Sequence, residues 1–200
     1  MFYCKLAIMS DRLVRKVIPA PEPGESPKLF SAYLESANIV LLGDPGAGKS
    51  HLFRQFAAAT AGARLLARNF LNLDVDSLAD KKILFIDALD EKRAGRGDQD
   101  TIDAIVKKLF IVKPERVRIA CRAADWLGET DLAAFQDYFE RKGGVVVLSL
   151  EPLSDDERAI VLRERGVQKP EQFLAEARDR GLEELLANPQ NLIMLSDVVQ

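Results

Sequence analysis

The feature that most constrains this chain is the stretch Gly43-Asp44-Pro45-Gly46-Ala47-Gly48-Lys49-Ser50, placed directly after the apolar run Ile39-Val40-Leu41-Leu42. It matches G-x-x-x-x-G-K-[ST], the phosphate-binding loop, and the motif has physical meaning only in that context. A buried strand must run into a glycine-rich turn whose backbone N–H groups point at phosphate oxygens, and the turn must open into a helix whose N-terminus favours negative charge. Leu52, Phe53, Phe56 and Ala57 supply the apolar face of such a helix. Lys49 is placed to reach phosphates as a point charge, and the Ser50 hydroxyl to ligate a magnesium ion bridging them.

The second constraint lies at Lys82-Ile83-Leu84-Phe85-Ile86-Asp87, followed by Ala88-Leu89-Asp90-Glu91. A run apolar at every position suits a strand covered on both faces, as in a parallel sheet, and a carboxylate at its C-terminal tip faces the crevice where such sheets bind ligands. Asp87 reads as the acidic partner of the loop, holding magnesium from the side opposite Ser50. A further strand, Val117-Arg118-Ile119-Ala120-Cys121-Arg122, ends in an arginine at the same sheet edge. Arg122 has two readings, a cation at the terminal phosphate or a salt bridge to Asp90 or Glu91.

With 200 residues, the chain is long enough for one α/β core and a small appendage, and its formal net charge of −3 gives no general attraction to nucleic acid or anionic membranes. No apolar run approaches the ~20 residues of a membrane span. Cys4 and Cys121 form no CxxC or Cys/His cluster, so a reducing cytoplasm is the expected setting. His51, the one histidine, follows Ser50 and reads as packing on the loop helix beside the nucleotide.

Around these motifs the pattern alternates. Residues 1–36 read as an N-terminal segment and a proline-rich connector (Pro19, Pro21, Pro23, Pro27), ending in a short amphipathic helix through Leu29, Phe30, Tyr33 and Leu34. That helix's aromatic face has two uses open to it, covering an adenine base or packing on the core. Arg64 to Ala67 reads as a short strand and 70–80 as an acidic loop. Gly95, Gly97 and Asp98 mark another loop, with Asp100 or Thr101 capping a helix through Ile102, Ile105 and Leu109. Phe135, Tyr138 and Phe139 belong to a helix broken by Gly143-Gly144, before the strand at 145–148. Strands alternating with helices predict a doubly wound parallel sheet over residues 37–153. From Ser154-Asp155-Asp156-Glu157, a cap followed by acidic first-turn residues, helical periodicity predicts a small helical subdomain over 154–200. The absence of a helix-stop signal at Val199-Gln200 suggests a fragment of a longer protein.

Taken together, GDPGAGKS, LFIDALDE, the strand-terminal IACR, Leu150-Glu151-Pro152-Leu153-Ser154 and Ala187-Asn188-Pro189-Gln190-Asn191-Leu192 resemble a signal-transduction ATPase with numerous domains (STAND class), and within it a NACHT-type module. A plain AAA+ module carries Glu directly after the strand-terminal Asp; here Ala88 fills that place and the acids follow as Asp90 and Glu91. The resemblance implies ATP or ADP and Mg2+ as ligands, Arg122 in the sensor position, and Pro189 packing on adenine from the helical subdomain. It implies a nucleotide-controlled switch, slow hydrolysis and homo-oligomeric assembly of the full-length protein, with Asp90 or Glu91 positioning or deprotonating the attacking water. His51 departs from the family's usual Thr. Two rivals stand beside this reading: an AAA+-like remodelling ATPase with continuous turnover, and a P-loop small-molecule kinase.

Overall fold

The computed structural model describes residues 15–20, 26–90 and 98–199. Among the described residues seven strands form one sheet: β1 (Lys16–Pro19), β2 (Lys28–Leu29), β3 (Asn38–Gly43), β4 (Ala63–Leu66), β5 (Ile83–Asp87), β6 (Arg116–Arg122) and β7 (Val146–Leu150), in the spatial order β2-β1-β7-β3-β6-β5-β4. Strands β3 to β7 run parallel, as the uninterrupted apolar runs predict. The helices are α1 (Lys49–Ala59), α2 (Ala67–Asn72), α3 (Asp98–Val112), α4 (Glu129–Arg141), α5 (Asp155–Glu164), α6 (Pro170–Asp179), α7 (Glu183–Leu186) and α8 (Pro189–Val199).

Alternation along β3 divides the core. Val40 and Leu42 face one side with Leu84, Ile86 and Ile119, packed on Phe70, Ile105, Leu109, Phe135 and Tyr138 from α2, α3 and α4. Ile39 and Leu41 face the other side with Phe85 and Leu148, packed on Leu52 and Phe53 of α1. A third apolar cluster, including Leu153, Val161, Leu162, Leu174 and Leu192, holds the helical subdomain together. Ser154 caps α5 with the reciprocal Ser154–Glu157 box that its sequence spells.

Three expectations need correction. The segment read as a connector contributes a strand: β1 pairs antiparallel with β7 (Val17 opposite Leu150) and with β2, extending the parallel sheet by an antiparallel margin. Val17, two residues before the first proline, is fully buried in the core between β1 and α1. The helix expected over Leu29–Leu34 is a 3-10 turn, Phe30–Tyr33, and Phe30 settles between Phe53 and Phe56, with ring centroids 6.5 and 5.0 Å away, as core. Within 70–80, the chain forms the end of α2 and a 3-10 turn at Asp76–Leu78, because Phe70 and Leu78 are core residues. Lys108 Nζ donates to the carbonyls of Leu71 and Leu73 and so satisfies the end of α2. Asp100 and Thr101 lie within the first turn of α3, which starts at Asp98.

The turn that leads into β3 is fixed from beneath by Arg118, which is 1% exposed. Its guanidinium donates to the carbonyls of Leu34 (2.7 Å), Ser36 (2.7 Å) and Ala37 (2.9 Å), and burial brings its pKa down to about 10. Among the described residues no helix is long and apolar enough to cross a membrane.

Candidate functional site

The sheet order decides what can meet at its C-terminal edge. The loop strand β3 and the acid-bearing strand β5 are not neighbours; β6 runs between them, with Gly43 in register with Arg122. Arg122 therefore stands between the loop and the acids.

The loop from Gly43 to Gly48 turns through left-handed backbone at Gly46 (φ 76°) and Gly48 (φ 100°), conformations that side chains resist. Gly48 precedes α1 without a side-chain cap, so the first N–H groups of that helix open toward the loop. Ala47 N–H closes the turn on Asp44 O at 3.1 Å. Asp44, Pro45 and Ser50 are exposed at the surface. Lys49 folds back over the loop, Nζ donating to Gly43 O (2.6 Å) and Asp44 O (2.9 Å). Burial lowers its pKa, and the charges of Asp90 and Asp87 act against that lowering. His51 is half-buried, and its Nε2 has no hydrogen-bond partner among the described residues; burial, then the charges of Arg54 and Arg15, lowers its pKa.

Both described acids of the edge are paired with arginines. Asp87, 1% exposed, accepts at Oδ2 from Arg64 Nε (3.0 Å) and Nη2 (2.5 Å), and at Oδ1 from Ala88 N–H (2.9 Å). Ala88 takes the left-handed region (φ 56°), a strained position for a residue with a Cβ, and there the chain turns from Asp87 toward Asp90. Asp90, 7% exposed, binds Arg122 twice: Oδ2 to Nε at 2.7 Å and Oδ1 to the backbone N–H at 3.2 Å. Of the two readings of Arg122, the salt bridge is thus the one observed, while nearly half of its side chain stays open to solvent. Glu91 lies outside the described residues, as do Arg93, Gly95 and Arg96 of the loop beyond it.

The helical subdomain sits directly on the loop. Asn188 caps α8, its Oδ1 accepting from Gln190 N–H (2.9 Å), while its Nδ2 donates to Pro45 O at 2.8 Å. A Cβ on Gly46 would lie 2.5 Å from Gln190 Oε1 and 2.9 Å from Asn188 Oδ1, and one on Gly48 would lie 3.9 Å from Pro189 Cγ. Pro189 is therefore beside the loop, at the first position of its helix.

One residue that the sequence reading missed ties these parts together. Arg15, 3% exposed, donates from Nη1 to Ala47 O (2.8 Å) and from Nη2 to Glu151 O, and its Nε faces Glu157 Oε1 at 3.5 Å. No motif marks it; it is one basic residue in a segment of alternating apolar and basic types that ends at Pro19.

These residues fit a nucleotide with its magnesium ion. The glycine cradle has no room for added side chains, Lys49 is oriented over it, His51 carries an orphaned buried nitrogen, and Asp87 stands across the edge with a carboxylate fixed in place.

No protein-family model matches the chain, and no curated protein matches it. Solved structures do. Domain III of the Thermotoga maritima replication initiation protein DnaA superposes with a TM-score of 0.51 at 17% identity, over 82% of this chain and 74% of that one. The replication initiator DnaA bound to AMPPCP and single-stranded DNA gives 0.48 at 16%, over 82% and 56%. The Thermotoga maritima RuvB Holliday junction branch migration motor gives 0.43 at 16%, over 80% and 53%. The chain spans little more than half the length of the latter two. At 17% identity the likeness to DnaA domain III is one of fold, and it agrees with the loop and the parallel sheet described above: the chain has an α/β P-loop NTPase fold.

Proposed function

We propose that this chain is an ATP-binding switch module of a larger NACHT/STAND-type protein, in which the nucleotide held by the loop sets the docking of the helical subdomain and thereby homo-oligomeric assembly. The observation that carries this reading is the seat of Asn188, Pro189 and Gln190 on Pro45, Gly46 and Gly48: any movement of the loop is felt at the start of α8. Gly43 to Gly48 and Lys49 would hold the phosphates, with His51 and Pro189 on the nucleotide's flank. Ser50 and Asp87 would hold Mg2+, whose charge neutralises the phosphates when bound. Arg122 would exchange Asp90 for the terminal phosphate, which frees Asp90, or the neighbouring Glu91, to orient the attacking water. The setting we propose is the cytoplasm, with neither membrane nor general nucleic-acid binding by this region.

Calorimetry and hydrogen exchange test it together. ATP and ADP should both bind, Lys49→Ala should weaken either by about a hundredfold with circular dichroism unchanged, and exchange at residues 186–192 should differ between the two nucleotides. Unaltered affinity in Lys49→Ala overturns the loop assignment. Identical exchange with both nucleotides, accompanied by sustained fast turnover, replaces the switch with a remodelling ATPase.

A further inference from the structure

β4 is the outer strand of the parallel core, and its Arg64 stands opposite Phe85 of β5. Side chains two apart on a strand share a face, so Arg64 and Asp87 project to the same side and meet diagonally. The guanidinium spends two N–H groups on one oxygen, Asp87 Oδ2, at 3.0 and 2.5 Å. Oδ1 accepts the Ala88 N–H and is the oxygen with a lone pair still to offer. Sheet cohesion does not call for this pair, since apolar side chains of similar volume hold a strand edge at least as well as a desolvated ion pair. Its distinctive effect is electrostatic: a full positive charge sits on the carboxylate that should attract a dication.

We infer that Arg64 is a built-in counter-ion that suppresses the affinity of Asp87 for free divalent metal, so that Mg2+ is retained only when phosphate oxygens join the ligand set. The inference rests on Asp87 as the metal-side carboxylate and deepens the proposed function by giving the order of events: nucleotide brings the metal, and the empty loop does not collect it. Removing Arg64 leaves Asp87 well oriented, because the carboxylate is 1% exposed and keeps the Ala88 N–H. What the substitution removes is therefore charge, and metal binding should rise.

The test is Mn2+ binding to the nucleotide-free protein, followed by electron paramagnetic resonance. Arg64→Met should bind Mn2+ about tenfold tighter than the parent. Arg64→Lys, which keeps the charge, should stay within about twofold of the parent, and adding Asp87→Asn to Arg64→Met should abolish the gain. Should Arg64→Met fail to fold by circular dichroism, Arg64→Gln carries the same expectation with a neutral donor in place. Equal Mn2+ affinity in the parent and the neutral variant overturns the inference, and so does a gain that survives Asp87→Asn. The two readings fail separately: a protein that binds no ADP yet shows the Mn2+ gain supports the counter-ion and sinks the nucleotide switch, whereas ADP binding without the gain does the reverse.

Discussion

Replacing Arg15 with methionine tests whether the loop and the helical subdomain are joined through one side chain. The guanidinium donates to two carbonyls, Ala47 O and Glu151 O, in a place where Arg15 itself is 3% exposed, so water cannot take over. Each stranded carbonyl costs about 1–3 kcal/mol. The ion pair with Glu157 is the weaker partner. At 3.5 Å and an effective dielectric of ~20 the gross attraction is about 5 kcal/mol, yet burial lowers the Arg15 pKa in spite of Glu157, so desolvation outweighs the attraction. The methionine also recovers some apolar burial. We expect Arg15→Met to cost about 3 kcal/mol in urea unfolding, or roughly 9 °C in Tm for a chain of this size. Glu157→Gln should cost about 1 kcal/mol, because the amide oxygen still serves the cap of α5. The coupling in the double-mutant cycle should not exceed about 1 kcal/mol. Arg15→Lys should recover little, since an ammonium cannot fork to both carbonyls. Full recovery by Arg15→Lys, or a coupling above about 2 kcal/mol, would show that charge and not the carbonyl fork holds the junction, and would refute this reasoning.

Gly46→Ala combines a left-handed φ of 76° with a Cβ 2.5 Å from Gln190 Oε1 and 2.7 Å from Gln190 Cβ; we expect about 2 kcal/mol of destabilisation and faster limited proteolysis of residues 186–192, partly reversed by Gln190→Gly. Tyr138 is fully buried, its hydroxyl has no hydrogen-bond partner among the described residues, and burial pushes its pKa from 10.0 to about 12. The folded state thus favours the neutral phenol: that contribution is whole below pH 10 and is lost as pH rises from 10 toward 12. Tyr138→Phe should flatten the alkaline fall in a pH series of urea midpoints and add about 1 kcal/mol at neutral pH.

What was legible in the sequence was whatever is encoded by contiguous residues. The loop, the apolar strand ending at Asp87, the strand ending at Arg122 and the Ser154–Glu157 box are each written in eight residues or fewer, and the parallel core and its edge follow from them. Contacts between distant segments were not legible. Nothing near Arg64 announces that a strand arginine will pair with Asp87, and nothing near Asn188 says that its amide will reach Pro45 O, because both depend on how whole strands and subdomains are placed. The α2 helix escaped notice for a related reason: it is six residues long, lacks a side-chain cap, and owes its carbonyl partners to Lys108. Arg122 was the intermediate case, its two readings following from sequence and the salt bridge to Asp90 being resolved only by the fold.

The pairing of β1 with β7 bears on how such a chain is made. Arg15 meets Glu151 O across 136 residues, and at about 5–20 residues per second a ribosome needs roughly 7–27 s to synthesise that interval. Through all of it β1 has only the two-residue β2 beside it, because its pairing with the parallel core runs through β7. The antiparallel margin can thus join the parallel core only after β7 has been made, and only then can Arg15 bridge the phosphate-binding loop to Glu151. Pairings so distant slow the search for the native state, so a nascent chain arrested before residue 150 should carry a recognisable loop motif on an unfinished site.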